Sequence, residues 1–344
     1  MIGQPPSPSS QLLAIGIDLG ATKIASVLVT ETGTVLEAHH RPTLPQRGPA
    51  AVLDDLAAEV AFLMERALAQ GGTLLGVGIG SPGQVNPLEG SVRNAVNLGW
   101  QEVFLVREVQ ARLASPLPIW IEKDTNAAAL GEYYWGAGQG CEDFVFLGIG
   151  SGLGGGIIAH GDLVRGADGN AAEVGHIALD PQQGRPCACG LRGCVETVVS
   201  GPGLVAITQR LLAAGAHPTR LAMVDLDAHA VVQAAAEGDA LAQAALDEMA
   251  AAFTTLVAYI LGLLNPARIV IGGGLGLAVF EPLRAYLERE LPHRVLAASY
   301  RNLRIVRSQL ENPALGAACL VWQARRTHLS KGGDAKGTRD DTIV

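Results

Sequence analysis

Apolar and polar residues alternate in short runs at the start of the chain, and the period then lengthens. Between residues 12 and 40, "LLAIGIDLG", "KIASVLVT" and "TVLEAHH" are β-branched and apolar stretches separated by turn signals at "GAT" and "ETG". This pattern predicts three short strands in an antiparallel meander. From 50 to 70, apolar residues recur every three or four positions, and the glycine pair at 71 and 72 closes the segment, which predicts an amphipathic helix. Further on, "TLLGVGIGSPG" reads as a strand entering a turn, "EVFLVREVQARL" as a helix, "PIWIEKD" as a strand and "TNAAALGEYYWGAG" as a helix. Strand alternating with helix is the signature of an α/β fold.

The pattern restarts at Phe144. "FVFLGIGSGLGGGIIAHGDLV" reads as strand, glycine turn, strand, turn and strand, and "IGIDLGATKIASVLV" near the start aligns with "FLGIGSGLGGGIIA" here. Two similar hairpin-led units in one chain predict two related domains. Residues 201–264 are alanine-rich and helical in pattern. The longest apolar stretch, 251–266, holds two threonines and is shorter than the roughly 18 to 20 residues of a membrane helix, so it reads as a buried core helix. "ARIVIGGGLG" predicts a buried strand ending in a third glycine turn, and "PALGAACLVWQAR" a final helix.

Composition sharpens this picture at two points. A chain of 344 residues has room for two domains with their own cores. Its 43 glycines exceed the usual share of about 7%, so glycine has specific tasks. The formal charge of −8 provides no basic footprint for nucleic acid or an anionic membrane surface, and neither is expected as a partner. The opening "MIGQPPSPSS" lacks a basic region ahead of an apolar core, which predicts a cytoplasmic protein.

Candidate chemistry gathers at the turns. In "DLGAT", glycine lets the backbone approach an anion, threonine offers a hydroxyl and an N–H, and Asp18 can hold the water shell of Mg²⁺; an ordinary hairpin turn has the same composition. "GIGSGLGGG" from Gly148 and the turn at Gly272 to Gly274 repeat the theme. Neither of the first two is a Walker loop or opens a dinucleotide-binding helix. Three glycine turns after three strands suggest one nucleotide gripped between two domains.

"CACGLRGC" packs Cys187, Cys189 and Cys194 into eight residues, too tightly for ordinary disulfides, and His176 would complete a Cys₃His set suited to structural Zn²⁺. Cys141 and Cys319 read as small core residues. Glu173 and Glu196 flank the cluster and are either solvated carboxylates or acceptors for sugar hydroxyls held in place by a metal loop. Asp124 ends a strand and precedes a helix, where an aspartate serves as an N-cap or as a base facing a cleft.

Taken together, "DLGATK", "GSPGQV", "NLGW", "EKDTNAAALGE", "GSGLGGGI", "EVGH" and "CACGLRGC" followed by "VE" closely resemble the ROK family of sugar kinases and sugar-responsive repressors over about residues 12–325. The resemblance implies a two-domain actin-like ATPase fold, related to ribonuclease H, with ATP and sugar meeting in an inter-domain cleft. It implies a small α/β domain over 12–123, with the last helix, about 313–326, packing back on it. A large domain over 124–312 carries the zinc loop, and 1–11 and 329–344 are disordered. Matched to the family's motifs, Asp124 is the catalytic base, Asn97, Glu173, His176 and Glu196 contact the sugar, and His176 also joins Cys187, Cys189 and Cys194 on zinc. Asp18, Gly20, Thr22 and Lys23 match the first phosphate turn, Gly150, Ser151 and Gly152 the second, and Gly272, Gly273 and Gly274 the adenosine-side turn.

Two positions depart from the pattern: Lys123 stands where many members have a sugar-contacting asparagine, and Ser151 replaces a common threonine. The implied activity is phosphoryl transfer from MgATP to a hexose. Glucose leads because the cysteine loop resembles the glucokinase type; N-acetylmannosamine, mannose and fructose are the alternatives. Family members that repress transcription carry a DNA-binding domain ahead of the first turn, and the eleven residues here leave no room for one. A homodimer or homotetramer is the expected assembly.

Overall fold

The computed structural model describes residues 11–215 and 217–333. The chain forms two compact units, Met1–Trp135 with Leu310–Val344, and Gly136–Gln309. Of the termini expected to be disordered, 1–10 and 334–344 lie outside the described residues, whereas 329–333 continue the last helix.

Unit 1 opens with the expected meander of β1 (Leu12–Leu19), β2 (Lys23–Thr30) and β3 (Val35–Pro42). The helix α1 (Pro49–Ala69) buries Val52, Leu56, Val60, Leu63 and Ala67, spaced at three and four, in the same apolar cluster as the strand residues Leu13, Ile15 and Ile17. β4 (Thr73–Ser81) then lies parallel to β1. Next comes a small antiparallel sheet of β5 (Gln84–Asn86), β6 (Ser91–Ala95) and β7 (Trp100–Val103), and after it α2 (Leu105–Gln110), β8 (Ile119–Lys123) and α3 (Asp124–Trp135). The main sheet runs β3-β2-β1-β4-β8, with β4 and β8 parallel.

The small sheet corrects only the start of the helix expected over "EVFLVREVQARL", which forms as α2 from Leu105. Glu102 and Val103 pair with Arg93 and Val92 across β6 and β7, and an Arg93–Glu102 ion pair of 2.6 Å stands on the exposed face. Val85, Val92, Trp100 and Val103 are buried. Strands this short show too few alternations to compete with the helical spacing of the residues that follow.

Unit 2 repeats the plan. β9 (Phe144–Ile149) and β10 (Leu153–Ala159) form a hairpin, β11 (Asp162–Leu163) adds a third antiparallel strand, and a long excursion leads to α4 (Gly201–Ala214), α5 (Ala228–Ala236) and α6 (Ala240–Leu264). The chain then makes β12 (Arg268–Gly272), α7 (Gly274–Ala278), α8 (Phe280–Glu290), α9 (Ala297–Tyr300) and β13 (Arg304–Arg307). The sheet order β11-β10-β9-β12-β13 matches that of unit 1, with three antiparallel strands followed by two parallel ones. Helix α6 is long and apolar enough to cross a membrane by length and composition. Its Leu246, Met249, Phe253, Leu256, Val257 and Ile260 are buried in the core of unit 2.

After β13 the chain returns to unit 1 as α10 (Pro313–Gly333). This helix lies on β1 and β4 with almost no side chain between. A Cβ on Gly16 would fall 2.0 Å from the Ala314 carbonyl oxygen, and one on Gly78 would fall 1.8 Å from that of Ala317. It also touches α3 at close range, where a Cβ on Gly316 would meet the Ala127 carbonyl oxygen at 2.3 Å. This contact corrects the expected domain limits of 12–123 and 124–312: α3, with Asp124 at its start, belongs to unit 1, and the boundaries fall after Trp135 and Gln309.

Candidate active site

In unit 1, three parallel strand ends converge. Asp18 near the end of β1 is paired with Gly80 of β4, and Gly80 is paired with Glu122 of β8, one strand further on. Since β8 runs directly into α3, Asp124 sits at the bend. The bend is fixed by the buried Glu122, whose Oε1 accepts from the Lys123 backbone N–H and the Asn126 Nδ2, each at 3.0 Å. Gly80 is the spacer between the two aspartates: a Cβ there would lie 3.6 Å from the Asp124 Cα and 3.8 Å from Asp18 Oδ1. Burial, with the nearby Asp124 carboxylate, pushes Asp18 up to about 7, and Lys23 pulls it back. A carboxylate held half-protonated at neutral pH beside another is a place for a cation or a moving proton.

The first glycine turn follows Asp18 and is braced from outside. Gly20 N–H donates to the Lys23 carbonyl at 2.9 Å, the hydroxyl of Thr43 donates to the Gly20 carbonyl at 2.7 Å, and Thr43 N–H donates to the Thr22 carbonyl at 3.1 Å. Thr22 and Lys23 are exposed. Thr43 lies twenty residues away in sequence and only the fold brings it to the turn.

In unit 2, the second and third glycine turns share one edge. Gly148 of β9 pairs with Gly272 of β12, so Gly150 and Gly273 follow adjacent parallel strands. Gly273 has φ +77°, and a Cβ on it would fall 2.4 Å from the Ile149 carbonyl oxygen, which only glycine tolerates. Gly150 and Gly274 are different, since a Cβ on either would meet nothing within 4 Å. Around Gly150 the backbone is free on one side for a ligand. On the other side its carbonyl accepts from Gly201 N–H at 2.8 Å, at the start of α4. Ser151 is exposed.

Glu196 joins this turn from below. Its Oε2 accepts from the Leu153 backbone N–H at 2.8 Å, and a Cβ on Gly152 would fall 2.5 Å from the same oxygen. Gly175, in "EVGH", packs so closely that a Cβ on it would fall 2.1 Å from the Leu153 carbonyl oxygen. Leu153 is therefore gripped from both sides by segments that also carry Glu173, His176 and the cysteines. Just before Glu173, Ala172 adopts the left-handed conformation with φ 63°, a strained setting for a residue with a Cβ and one typical of sites where a side chain must be aimed.

His176, Cys187, Cys189 and Cys194 come together with all ligand atoms within 4.8 Å of one another. Cys189 and Cys194 sulfurs are 3.7 Å apart, and Cys187 Sγ is 3.8 Å from His176 Nδ1. Tetrahedral Zn²⁺ with bonds near 2.3 Å to sulfur sets its ligands about 3.8 Å apart, so the four residues fit that ion. Burial and the neighbouring thiols push Cys194 up to about 12, and a shared cation is what would let such thiols ionise together. The knuckle depends on glycine at 190 and 193, with φ +91° and +73°. Because Nδ1 faces the sulfurs, His176 Nε2 points the other way, 4.0 Å from Glu173 Oε2.

Comparison with known proteins gives these features a family. A sequence profile of the ROK family matches residues 14–324. The chain belongs to the ROK family. It is 31% identical over 331 residues to the glucokinase of Halalkalibacterium halodurans, covering 94% of this chain and 98% of that protein. The crystal structure of a ROK family glucokinase from Streptomyces griseus, in complex with glucose and AMPPNP, superposes with a TM-score of 0.75 at 33% identity, covering 90% of this chain and 99% of that one. A ROK family transcriptional regulator, a homologue of the E. coli MLC protein, superposes with a TM-score of 0.82 at 28% identity, covering 96% of this chain and 82% of the other. The fold is thus the two-domain, actin-like α/β fold of the ROK sugar kinases.

Within this ROK chain, the residues singled out from sequence fall into two groups. Asp18, Gly20, Thr22, Lys23 and Asp124 lie in unit 1, and Gly150, Ser151, Gly152, Glu173, His176, Glu196 and Gly272 to Gly274 lie in unit 2. Asn97 is also in unit 1, exposed on a single turn of 3₁₀ helix between β6 and β7. Three contributors escaped the sequence reading: Thr43, Gly80 and the Leu153 N–H. Only Gly80 had a signal, being the first residue of "GSPGQV" at the end of β4.

Proposed function

We propose that this protein is an ATP-dependent hexose kinase, a glucokinase, that makes glucose 6-phosphate and ADP. The observation that carries the reading is the convergence of Asp18 and Asp124 across Gly80 at parallel strand ends, where ligands of open α/β sheets are bound. Asp124 accepts the proton of the sugar 6-hydroxyl, that oxygen bonds to the γ-phosphorus, and the bond to the bridging oxygen breaks so that ADP leaves. Asp18 orients the hydrated Mg²⁺ that arrives with ATP and offsets phosphate charge. Backbone N–H groups of the turns after Asp18 and Ile149 hold phosphate oxygens, those of Gly20 and Gly150 being taken by the Lys23 and Gly152 carbonyls, and Gly272 to Gly274 lie on the adenosine side. Glu173, His176 through Nε2, Glu196 and Asn97 bind sugar hydroxyls. His176 Nδ1, Cys187, Cys189 and Cys194 would hold Zn²⁺, which would supply a structural cross-link rather than a catalytic position. Cytoplasmic location and assembly as a homodimer or homotetramer belong to the same reading.

The likeness to a transcriptional regulator favours one second reading, a sugar-responsive regulator that binds hexose without turning it over. Both are separated by ADP release from MgATP with glucose, mannose, fructose, N-acetylglucosamine and N-acetylmannosamine, with Asp124→Asn as control. Turnover of one sugar, lowered by about 10²- to 10⁴-fold in the variant while sugar binding persists, establishes the kinase and its base. Sugar binding without turnover by the zinc-loaded wild-type protein selects the regulator, and preference for another hexose keeps the mechanism but changes the substrate.

A further inference from the structure

We infer that Gly152 is a positioning residue for the sugar, acting through Glu196, although it lies in a turn whose neighbour Gly150 serves the phosphates. The inference rests on the kinase reading. Glu196 Oε2 is committed to the Leu153 N–H at 2.8 Å, which leaves Oε1 to accept from the sugar. The position of Oε2 is possible only because residue 152 has no side chain, since a Cβ there would come within 2.5 Å of it. Contact with the far end of a flexible side chain is relieved by moving that end. In Gly152→Ala the carboxylate therefore swings away while the hairpin persists, because Gly152 is not in the left-handed backbone region that excludes alanine. The swing breaks the bond to Leu153 and misdirects Oε1.

Two residues earlier the same substitution has a different target. A Cβ on Gly150 meets no protein atom within 4 Å and enters the space left to the phosphates. One turn thus carries two separable functions: position 150 reports on ATP and position 152 reports on sugar.

The test is a pair of alanine variants in the full-length, zinc-loaded protein, with glucose affinity measured by calorimetry without nucleotide and KM for ATP measured at saturating glucose. Gly152→Ala is expected to weaken glucose binding at least tenfold, a larger factor than its effect on KM for ATP. Gly150→Ala is expected to do the reverse. Glu196→Ala removes the obstructing carboxylate, so adding Gly152→Ala to it should weaken glucose binding by less than a further twofold, a non-additivity that a merely structural defect would not produce. This double variant also restores space if Gly152→Ala alone misfolds. Glucose affinity unchanged within twofold in Gly152→Ala, or full additivity in the double variant, overturns the inference. Failure of the wild-type protein to bind or phosphorylate any hexose overturns the kinase reading instead.

Discussion

Residues 18–20 and 148–150 occupy the same place in two sheets of the same strand order, yet one hairpin reads Asp-Leu-Gly and the other Gly-Ile-Gly. In both, the strand beside the hairpin offers a glycine partner, Gly80 to Asp18 and Gly272 to Gly148. The difference lies in what the backbone presents. Unit 1 has a carboxylate with a second one close by, and in the proposed mechanism it supplies the groups that hold charge and take a proton. Unit 2 has bare main chain at the turn, and its carboxylates come from a separate excursion, the segment 173–196, which gathers His176 and three cysteines. A duplicated frame thus divides the work by side-chain replacement at one position and by insertion at another. Bracing differs in the same way: a threonine hydroxyl holds the first turn, and a carboxylate holds the second.

The largest effect that would test this division is removal of the metal. Stripping zinc with a chelator should abolish glucose binding, which calorimetry reads, and readdition of zinc should restore it, because His176, Cys187, Cys189 and Cys194 lie within the segment that bears Glu173 and Glu196 and a shared ion would cross-link it. Retention of glucose affinity would mean that unit 2 aims its carboxylates without the sulfur ligands.

Next in size is Asp18→Asn, expected to lower kcat by about 10- to 100-fold by loosening the metal shell. The same variant makes a pH-dependent statement about stability in the absence of ligands. Asp18 binds its proton more tightly folded, at about 7, than at its ordinary value of 3.8. Its protonation therefore supports the fold fully below 3.8, and that support is lost as pH rises through 7. The asparagine variant should melt higher than wild type at pH 8, and the gain should vanish by pH 4, which thermal melts at the two values check.

Two smaller effects concern the turn and its spacer. Thr43→Val removes a hydrogen bond to the Gly20 carbonyl worth about 1 kcal/mol, so KM for ATP should rise about fivefold with glucose affinity unchanged. Gly80→Ala places a Cβ at 3.5 to 3.8 Å from its neighbours, ordinary contact distance, and should change kcat less than threefold. A large loss at Gly80 would show that the two carboxylates need the gap itself.

Much of the frame was legible because it is written in local periodicity. The strands flanking each glycine turn, α1 and the final helix follow from spacing alone, and the candidate metal cluster follows from one histidine and three cysteines whose chemistry admits few other uses. What escaped depends on contacts between distant segments. Thr43 reads as an ordinary end-of-strand residue until β3 is laid beside β2. Asp124 reads as the start of a second domain because strand-then-helix looks like a fresh unit, and only the Gly316 contact with α3 assigns it to the first. Glu196 reads as a sugar contact, but its hydrogen bond to Leu153 spans 43 residues and leaves no trace in spacing.

The return of α10 to unit 1 has a consequence for how the protein is made. Unit 2 is one unbroken stretch, Gly136–Gln309, whereas the sheet of unit 1 is covered by a helix that begins at Pro313. On the ribosome, β1 and β4 emerge first but wait for the whole of unit 2 before the helix that seats on Gly16 and Gly78 exists. At about 5 to 20 residues per second, that wait lasts roughly tens of seconds. The half of the molecule synthesised second can therefore be finished first, and the early strands are the part that a chaperone has reason to shield.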